Sequence, residues 1–305
     1  MTKFLTLRFS GCGHLVPYHL GVASVFLEET SRSTRKRPLP PVKAVSGSSA
    51  GAIAAVIYSK LPHRIDDYVS DFIEQKGNAL KILTKMMYEE EKITNTEADG
   101  RSGATVLWHK RVAPPRLNIA TTKCSDGTVH MFTFTGNTLY KSISSTWTTD
   151  KLLNVVKASC KIPNSFHPID LLSQSKYPIE EGIEIDGDYH VDGGIAAPVP
   201  HTSRDGEEGA HPIIVSPISE GKPLLFKDTN QNKLSRISPV DNSWRLLPFG
   251  SLKLNGNFHV NPSVQNLQCL RMASGLVSTS ELMEWYERGM TDGMNMINKL
   301  DTCLI

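Results

Sequence analysis

The sequence predicts an α/β protein, and three observations carry that prediction. An apolar strand, a glycine-rich turn and an apolar helix follow one another over residues 4–30, and the same order repeats over residues 42–60. A third short strand, near 189–191, ends on an acid and two glycines. A chain of 305 residues is long enough to bury an ample core in one large domain with a smaller addition.

The first strand is predicted near 4–9, because Lys3-Phe-Leu-Thr-Leu-Arg-Phe9 alternates in hydropathy. It runs into Ser10-Gly11-Cys12-Gly13-His14 and then into an apolar stretch that predicts a helix near 14–30. Glycines in such a turn leave successive backbone N–H groups pointing into one concavity, which suits a phosphate or an oxyanion. A dinucleotide fingerprint begins in the same way but needs a third glycine where Val16 stands, and an acidic residue where the basic loop 32–37 stands. The turn is therefore read as an oxyanion loop, with His14 and His19 as packing residues of the first helix.

The second unit pairs a strand near 42–46 with a helix near 50–60, joined by Gly47-Ser48-Ser49-Ala50-Gly51. A strand that reverses sharply into a helix forces its corner residue into a strained conformation, and small neighbours are what the crowding tolerates. Ser49 is thus a candidate nucleophile at a helix N-terminus, where unsatisfied N–H groups and the positive pole of the dipole favour developing negative charge. A plain turn or linker would match the five residues equally well without the strand and helix around them.

Further along, a helix is predicted near 64–90, strands near 116–122 and 129–135 with Asp126-Gly127 as their turn, and a helix near 147–159. Asp186-Gly187 is read as another turn. Asp192 differs from these, because the apolar run Ile195-Ala-Ala-Pro-Val-Pro200 holds it at the edge of a core. Partial burial raises a carboxylate's pKa and makes it a better proton acceptor near neutral pH. A strand is predicted near 212–216, within a stretch from Pro200 to Asn261 that is rich in Pro, Ser, Asn and Gly and is read as a cover for either a binding cleft or a partner. The last helix, near 279–300, carries Leu282, Met283, Tyr286, Met290, Met294 and Ile297 as the stripe expected to pack on the core.

A glycine loop, a G-x-S-x-G serine and an Asp-Gly-Gly acid in this order resemble the patatin-like phospholipase family, and residues 10–23 are most similar to its adipose triglyceride lipase branch. The resemblance spans about residues 4–200 and includes the segment 158–168. It implies a three-layer α/β/α fold with a central, mostly parallel sheet. It also implies a serine–aspartate dyad without histidine: Ser49 as nucleophile, Asp192 as proton acceptor, and the main chain of Gly11, Cys12 and Gly13 as oxyanion hole. Gly47, Gly51, Gly193 and Gly194 would be the glycines of the elbow and acid motifs. Val16 departs from the pattern, standing where the family loop has its last glycine. The implied function is a lipase or phospholipase that cleaves fatty-acyl esters in lipid catabolism, without metal or organic cofactor. The alternatives are a lipid acyltransferase and a catalytically silent lipid-binding or regulatory protein. A Ser-acid-His triad using His201, His211 or His259 is disfavoured by chain order, since only about one strand and one helix precede residue 42.

A net charge of +2 points to no nucleic-acid partner. The basic cluster 32–37 is read as a solvated loop, with contact to anionic head groups as the alternative, and Glu89-Glu90-Glu91 as a solvated helix end. The five cysteines are dispersed, with no C-x-x-C, which suits free thiols in a reducing compartment. Cys12 is read as a small side chain with a useful N–H rather than as a nucleophile. His190 with Asp192, and His130 with Cys124, lack the partners a metal site needs. With no signal peptide and no stretch of about eighteen apolar residues, the expectation is a soluble, cytoplasmic protein that associates peripherally with membranes or lipid droplets. Residues 244–252, with Trp244, Phe249 and several leucines, are the candidate for dipping into lipid, the alternative being that they cover the core. Residues 1–200 are expected to form the catalytic domain. Residues 201–305 are expected to pack on it as a partly loop-rich extension ending in a long helix.

Overall fold

The computed structural model describes residues 2–31, 38–75, 77–98, 114–135, 148–164, 178–179, 181–219, 235–244, 246, 252–254 and 258–303. The basic cluster 32–37, and residues 165–168, 245 and 247–251 of the segments singled out above, lie outside them. Strands β1 (Phe4–Phe9), β2 (Val42–Ser48), β3 (Arg116–Lys123), β4 (Val129–Phe134), β5 (Ile183–Ile185), β6 (Asp188–Asp192), β7 (Ala210–Val215) and β8 (Ser235–Ile237) form an eight-stranded sheet. Its order is β5-β6-β3-β2-β1-β7-β8, with β4 also paired to β3. The run β8-β7-β1-β2-β3 is parallel, whereas β4 and β6 are antiparallel to β3. β9 (Leu252–Leu254) and β10 (Phe258–Val260) form a separate antiparallel pair. The helices are α1 (Val16–Ser31), α2 (Ala50–Lys60), α3 (Ile65–Glu74), α4 (Ala79–Ala98), α5 (Thr149–Ser159), α6 (Val264–Ala273) and α7 (Thr279–Cys303). The result is the expected α/β class, a central, mostly parallel sheet flanked by helices.

All six residues of β1, and all of β2 except Lys43, are buried, as parallel strands covered on both faces require. Alternation sorts them by chemistry. Leu5, Leu7, Phe9, Val45, Leu117 and Ile119 belong to the main apolar core. Thr6, Arg8, Ser46, Ser48 and Asn118 point to the other face, and the chain between β6 and β7 crosses them. Ser48 and Ser46 donate to the carbonyls of Pro198 and Pro200 at 3.1 and 2.8 Å. Asn118 accepts the Ser203 N–H at 3.2 Å, and buried Arg8 pairs with Asp205 at 2.9 Å. That strap begins at Asp192, so the polar face of the sheet fixes where the acid motif starts.

Several expectations are corrected. The helix foreseen over 64–90 is two helices, because Gly77 adopts φ +86 and a side chain there would meet the His14 ring. α4 then continues to Ala98. Glu90 is buried, with its carboxylate 3.3 Å from His63, rather than solvated. On α7 the buried face runs through Leu282, Trp285, Gly289, Gly293, Met296, Ile297 and Leu300, while Met283 and Met290 are exposed. Glycines set that rotation: a Cβ on Gly289 would lie 2.2 Å from the Tyr18 carbonyl, and one on Gly21 would lie 2.1 Å from that of Tyr286. α1 and α7 therefore cross backbone to backbone. α6 and the short strands β5, β8, β9 and β10 were not foreseen. The two Asp-Gly turns are as read, with Asp186 and Gly187 at φ 55 and 88 in the hairpin between β5 and β6.

Candidate active site

β2 ends at Ser48 and α2 begins at Ala50, which leaves Ser49 alone at the corner with φ 52 and ψ −130. Few non-glycine residues adopt such a conformation, and it persists only where the surroundings enforce it. Here the glycines make it possible. A Cβ on Gly47 would lie 2.1 Å from the Gly51 carbonyl, and one on Gly51 would lie 2.3 Å from that of Phe9. The corner is thereby pressed against the end of β1, where the glycine loop starts, and a Cβ on Gly11 would lie 3.5 Å from Ser49 Cβ.

The acid reaches the same place through β3. Ser48 of β2 is paired with Ala120, and Asp192 of β6 with the next residue, Thr121. β4 occupies the opposite edge over both positions, so β2 and β6 follow one another along a single edge of β3. Asp192 is only 4% exposed. Its Oδ1 accepts the Gly194 N–H at 2.7 Å. Its Oδ2 is buried without a completed hydrogen bond, and the Ser49 hydroxyl is the side chain that bears on the carboxyl. Burial raises the Asp192 pKa to about 6, against the lowering effects of the Ser49 hydroxyl and the Gly194 N–H.

The glycine loop is seated from two sides. His19, buried in α1, donates from Nε2 to the Ser10 carbonyl at 2.8 Å, and burial lowers its pKa to about 4, so it is neutral. α6 lies against the loop's far side, where His14 donates from Nδ1 to the Ala273 carbonyl at 3.2 Å. Gly13, at φ +53, leaves no room for a Cβ beside that same carbonyl. The Gly11 N–H is already donated to Pro198 at 3.0 Å, whereas those of Cys12 and Gly13 have no backbone acceptor among the described residues. Of the three expected oxyanion donors, two are therefore open. The Cys12 thiol is buried, which pushes its pKa well up and keeps it protonated.

The other candidates stay apart from this cluster. His201 lies 3.8 Å from Asp205, and His211 contacts Ser235 at 2.8 Å. The His259 side chain lies outside the described residues. Among the described residues no group of three or more His, Cys, Asp or Glu could hold a metal ion. Two features escaped the sequence reading. Ser159 contacts the corner directly, and its signal was a polar residue in the buried stripe of Leu152, Val155 and Val156. α6 was marked only by Ser263, whose Oγ caps it by accepting the Asn266 N–H at 3.1 Å.

A strained serine between a parallel strand and a helix, beside a buried carboxyl, defines an α/β protein built around a sharp strand-to-helix corner. The sequence profile of the patatin-like phospholipase family matches residues 7–204, and the chain belongs to that family. Human patatin-like phospholipase domain-containing protein 4 is 35% identical to it over 65 residues, which are 21% of this chain and 24% of that protein. The chain thus spans about a quarter of the length of the curated relative it matches. Among solved structures, VipD from Legionella pneumophila superposes with a TM-score of 0.46 and 12% identity, over 98% of this chain and 67% of that one.

Proposed function

We propose that the protein is a serine acyl hydrolase that cleaves fatty-acyl esters of lipids, with Ser49 as nucleophile and Asp192 as proton acceptor. The observation that carries this reading is the buried Asp192 carboxyl, one oxygen held by Gly194, with the hydroxyl of the strained Ser49 bearing on it. In the proposed cycle Ser49 Oγ attacks the ester carbonyl carbon while its proton passes to Asp192. The N–H groups of Cys12 and Gly13 hold the oxyanion. Collapse breaks the ester bond, and the departing alcohol takes the proton from Asp192. Water then attacks the acyl-serine, gives its proton to Asp192 and releases the fatty acid, and the proton returns to Ser49. Family membership supports a lipid substrate, and the run 10–23 supports the adipose triglyceride lipase branch.

A membrane or lipid-droplet surface is the proposed place of action. Trp244, 87% exposed, joins exposed Leu246, Leu267, Leu270 and Leu276 around α6. The chain is tied there by Val264 N–H to the Trp244 carbonyl at 3.0 Å and Leu246 N–H to that of Pro262 at 2.7 Å. The inner face of the same helix seats the glycine loop, so an apolar surface engaged by its outer face would lie about one helix diameter, roughly 10 Å, from that loop. Among the described residues no helix is long and apolar enough to cross a membrane. In this reading residues 1–200 carry the chemistry and 201–305 supply the rim.

The test is labelling with a fluorophosphonate followed by mass mapping of the modified peptide. Stoichiometric modification at Ser49, absent in Ser49→Ala and strongly slowed in Asp192→Asn, is expected. An unlabelled Ser49 in folded protein supplied with a lipid interface would overturn the hydrolase reading and favour a silent lipid-binding protein.

A further inference from the structure

We infer that Ser159 is a positioning residue that aligns the nucleophile with the acid by holding both main chains to one point of β3. The inference rests on the Ser49 and Asp192 roles proposed above. Ser159 is the last residue of α5 and is fully buried, at 0% exposure. Its Oγ donates to the Ala120 carbonyl at 2.7 Å and accepts the Ser49 N–H at 2.9 Å. Its own carbonyl accepts the Gly193 N–H at 3.2 Å, and two residues on, the Lys161 carbonyl accepts the Asp192 N–H at 2.9 Å.

The chemistry of a hydroxyl makes this arrangement directional. A serine has one proton to give, and once it is given to Ala120 only lone pairs face Ser49, so both bonds orient each other. Ala120 is the residue that pairs with Ser48, and its carbonyl is the atom a Cβ on Gly193 would approach to 2.1 Å. The corner of β2, the acid turn after β6 and the end of α5 thus meet at one carbonyl and one hydroxyl. A serine inside a helix commonly bonds back to its own preceding turn. Ser159 Oγ bonds outward instead, and the helix end is closed without it by Cys160 N–H to the Val156 carbonyl at 3.0 Å. Without the hydroxyl, the Ser49 N–H and one Ala120 lone pair are left buried and unanswered, and the corner can relax from its positive φ. That rotation turns Ser49 Oγ away from Asp192.

The experiment compares wild type, Ser159→Ala and Ser159→Thr, each shown to be folded by near-ultraviolet circular dichroism. The readouts are kcat and KM on a soluble p-nitrophenyl butyrate substrate and the fluorophosphonate labelling rate as a function of pH. In Ser159→Ala, kcat and the labelling rate should fall roughly 10- to 100-fold, the cost of misplacing a reacting group by about 1 Å, with KM unchanged. The acid limb, expected near the Asp192 pKa of about 6, should move upward, because the Ser49 hydroxyl no longer helps to lower it. Ser159→Thr should recover part of the rate. If Ser159→Ala does not fold, Ser159→Cys replaces it, keeping the volume with weak hydrogen bonding, and must show the same loss. Wild-type labelling rates and an unmoved acid limb in folded Ser159→Ala or Ser159→Cys overturn the inference while leaving the hydrolase reading intact. Failure of wild type itself to label at Ser49 overturns both.

Discussion

Asp192 is a carboxyl that the folded chain holds in an unfavourable place. Its pKa rises from 3.8 to about 6 on burial, so between those values the native state keeps a proton that the unfolded chain has released. Stability therefore falls as the pH rises through this window, by about 3 kcal/mol once above it. In the proposed cycle activity runs the other way, because only the carboxylate could take the serine proton. Hydrolysis should decline below about pH 6. Asp192→Asn should abolish turnover yet melt at a higher temperature than wild type at pH 8, with the difference gone below about pH 4, where both side chains are neutral. Calorimetry across pH would decide it, and a lower Tm for Asp192→Asn at pH 8 would contradict the assigned burial cost. At this scale the sequence was informative. Gly47, Ser49 and Gly51 are legible because the crowding that demands them is local. The engagement of the Gly11 N–H by Pro198 was not legible, because its acceptor belongs to the strap that follows the acid.

At the scale of elements, the strand-turn-helix units were readable from alternation and from glycines, and the elements missed were short or depended on distant partners. α6 is the instructive case. Its inner residues Cys269 and Met272 are buried in the main core, and Cys269 Sγ donates to the carbonyl of Pro217, a partner far along the chain, at 3.6 Å. Its outer Leu267 and Leu270 lie one turn apart and break the pattern that would have marked an ordinary amphipathic helix. Those two leucines make a separable prediction. The double variant Leu267→Glu with Leu270→Glu should hydrolyse a soluble short-chain ester at the wild-type rate. On phospholipid vesicles or a triacylglycerol emulsion it should be slower by at least about tenfold, since each leucine kept out of lipid forfeits on the order of 1–2 kcal/mol. Equal losses on both substrates would mean that the change had disturbed the loop beneath rather than surface docking. The helix pair α3 and α4 makes the complementary point. Periodicity runs through Gly77, but that glycine closes α3 at φ +86 with its N–H donated to the Phe72 carbonyl at 2.9 Å, and a side chain there would meet the His14 ring.

Across the whole molecule, the connection from β6 to β7 ties the acid motif to the far side of the sheet, and Arg8 with Asp205 is its anchor. Buried Arg8 meets the largely buried Asp205 carboxylate at 2.9 Å, and Asp205 also accepts from the hydroxyls of Thr6 and Thr202, both at 2.6 Å. Removing one partner strands the other charge. Asp205→Ala should therefore destabilise the protein by about 3–5 kcal/mol in chemical denaturation. A change below about 1 kcal/mol would mean that solvent reaches Arg8 in the native state.

The sequence alone determined the local units and the residues of the candidate site: two strand-glycine-helix corners, a serine at one of them and an acid ahead of two glycines. Steric rules acting within a few residues dictate all of these. Only the tertiary structure decided which loop N–H groups stay open, how α7 is rotated on α1, where α6 sits, and that Ser159 joins the corner to the acid. Each of these depends on contacts between segments far apart in the chain. Above all, the register of β3 sets Ser48 opposite Ala120 and Asp192 opposite Thr121. A strand's own residues leave such a register open until its neighbours pack against it.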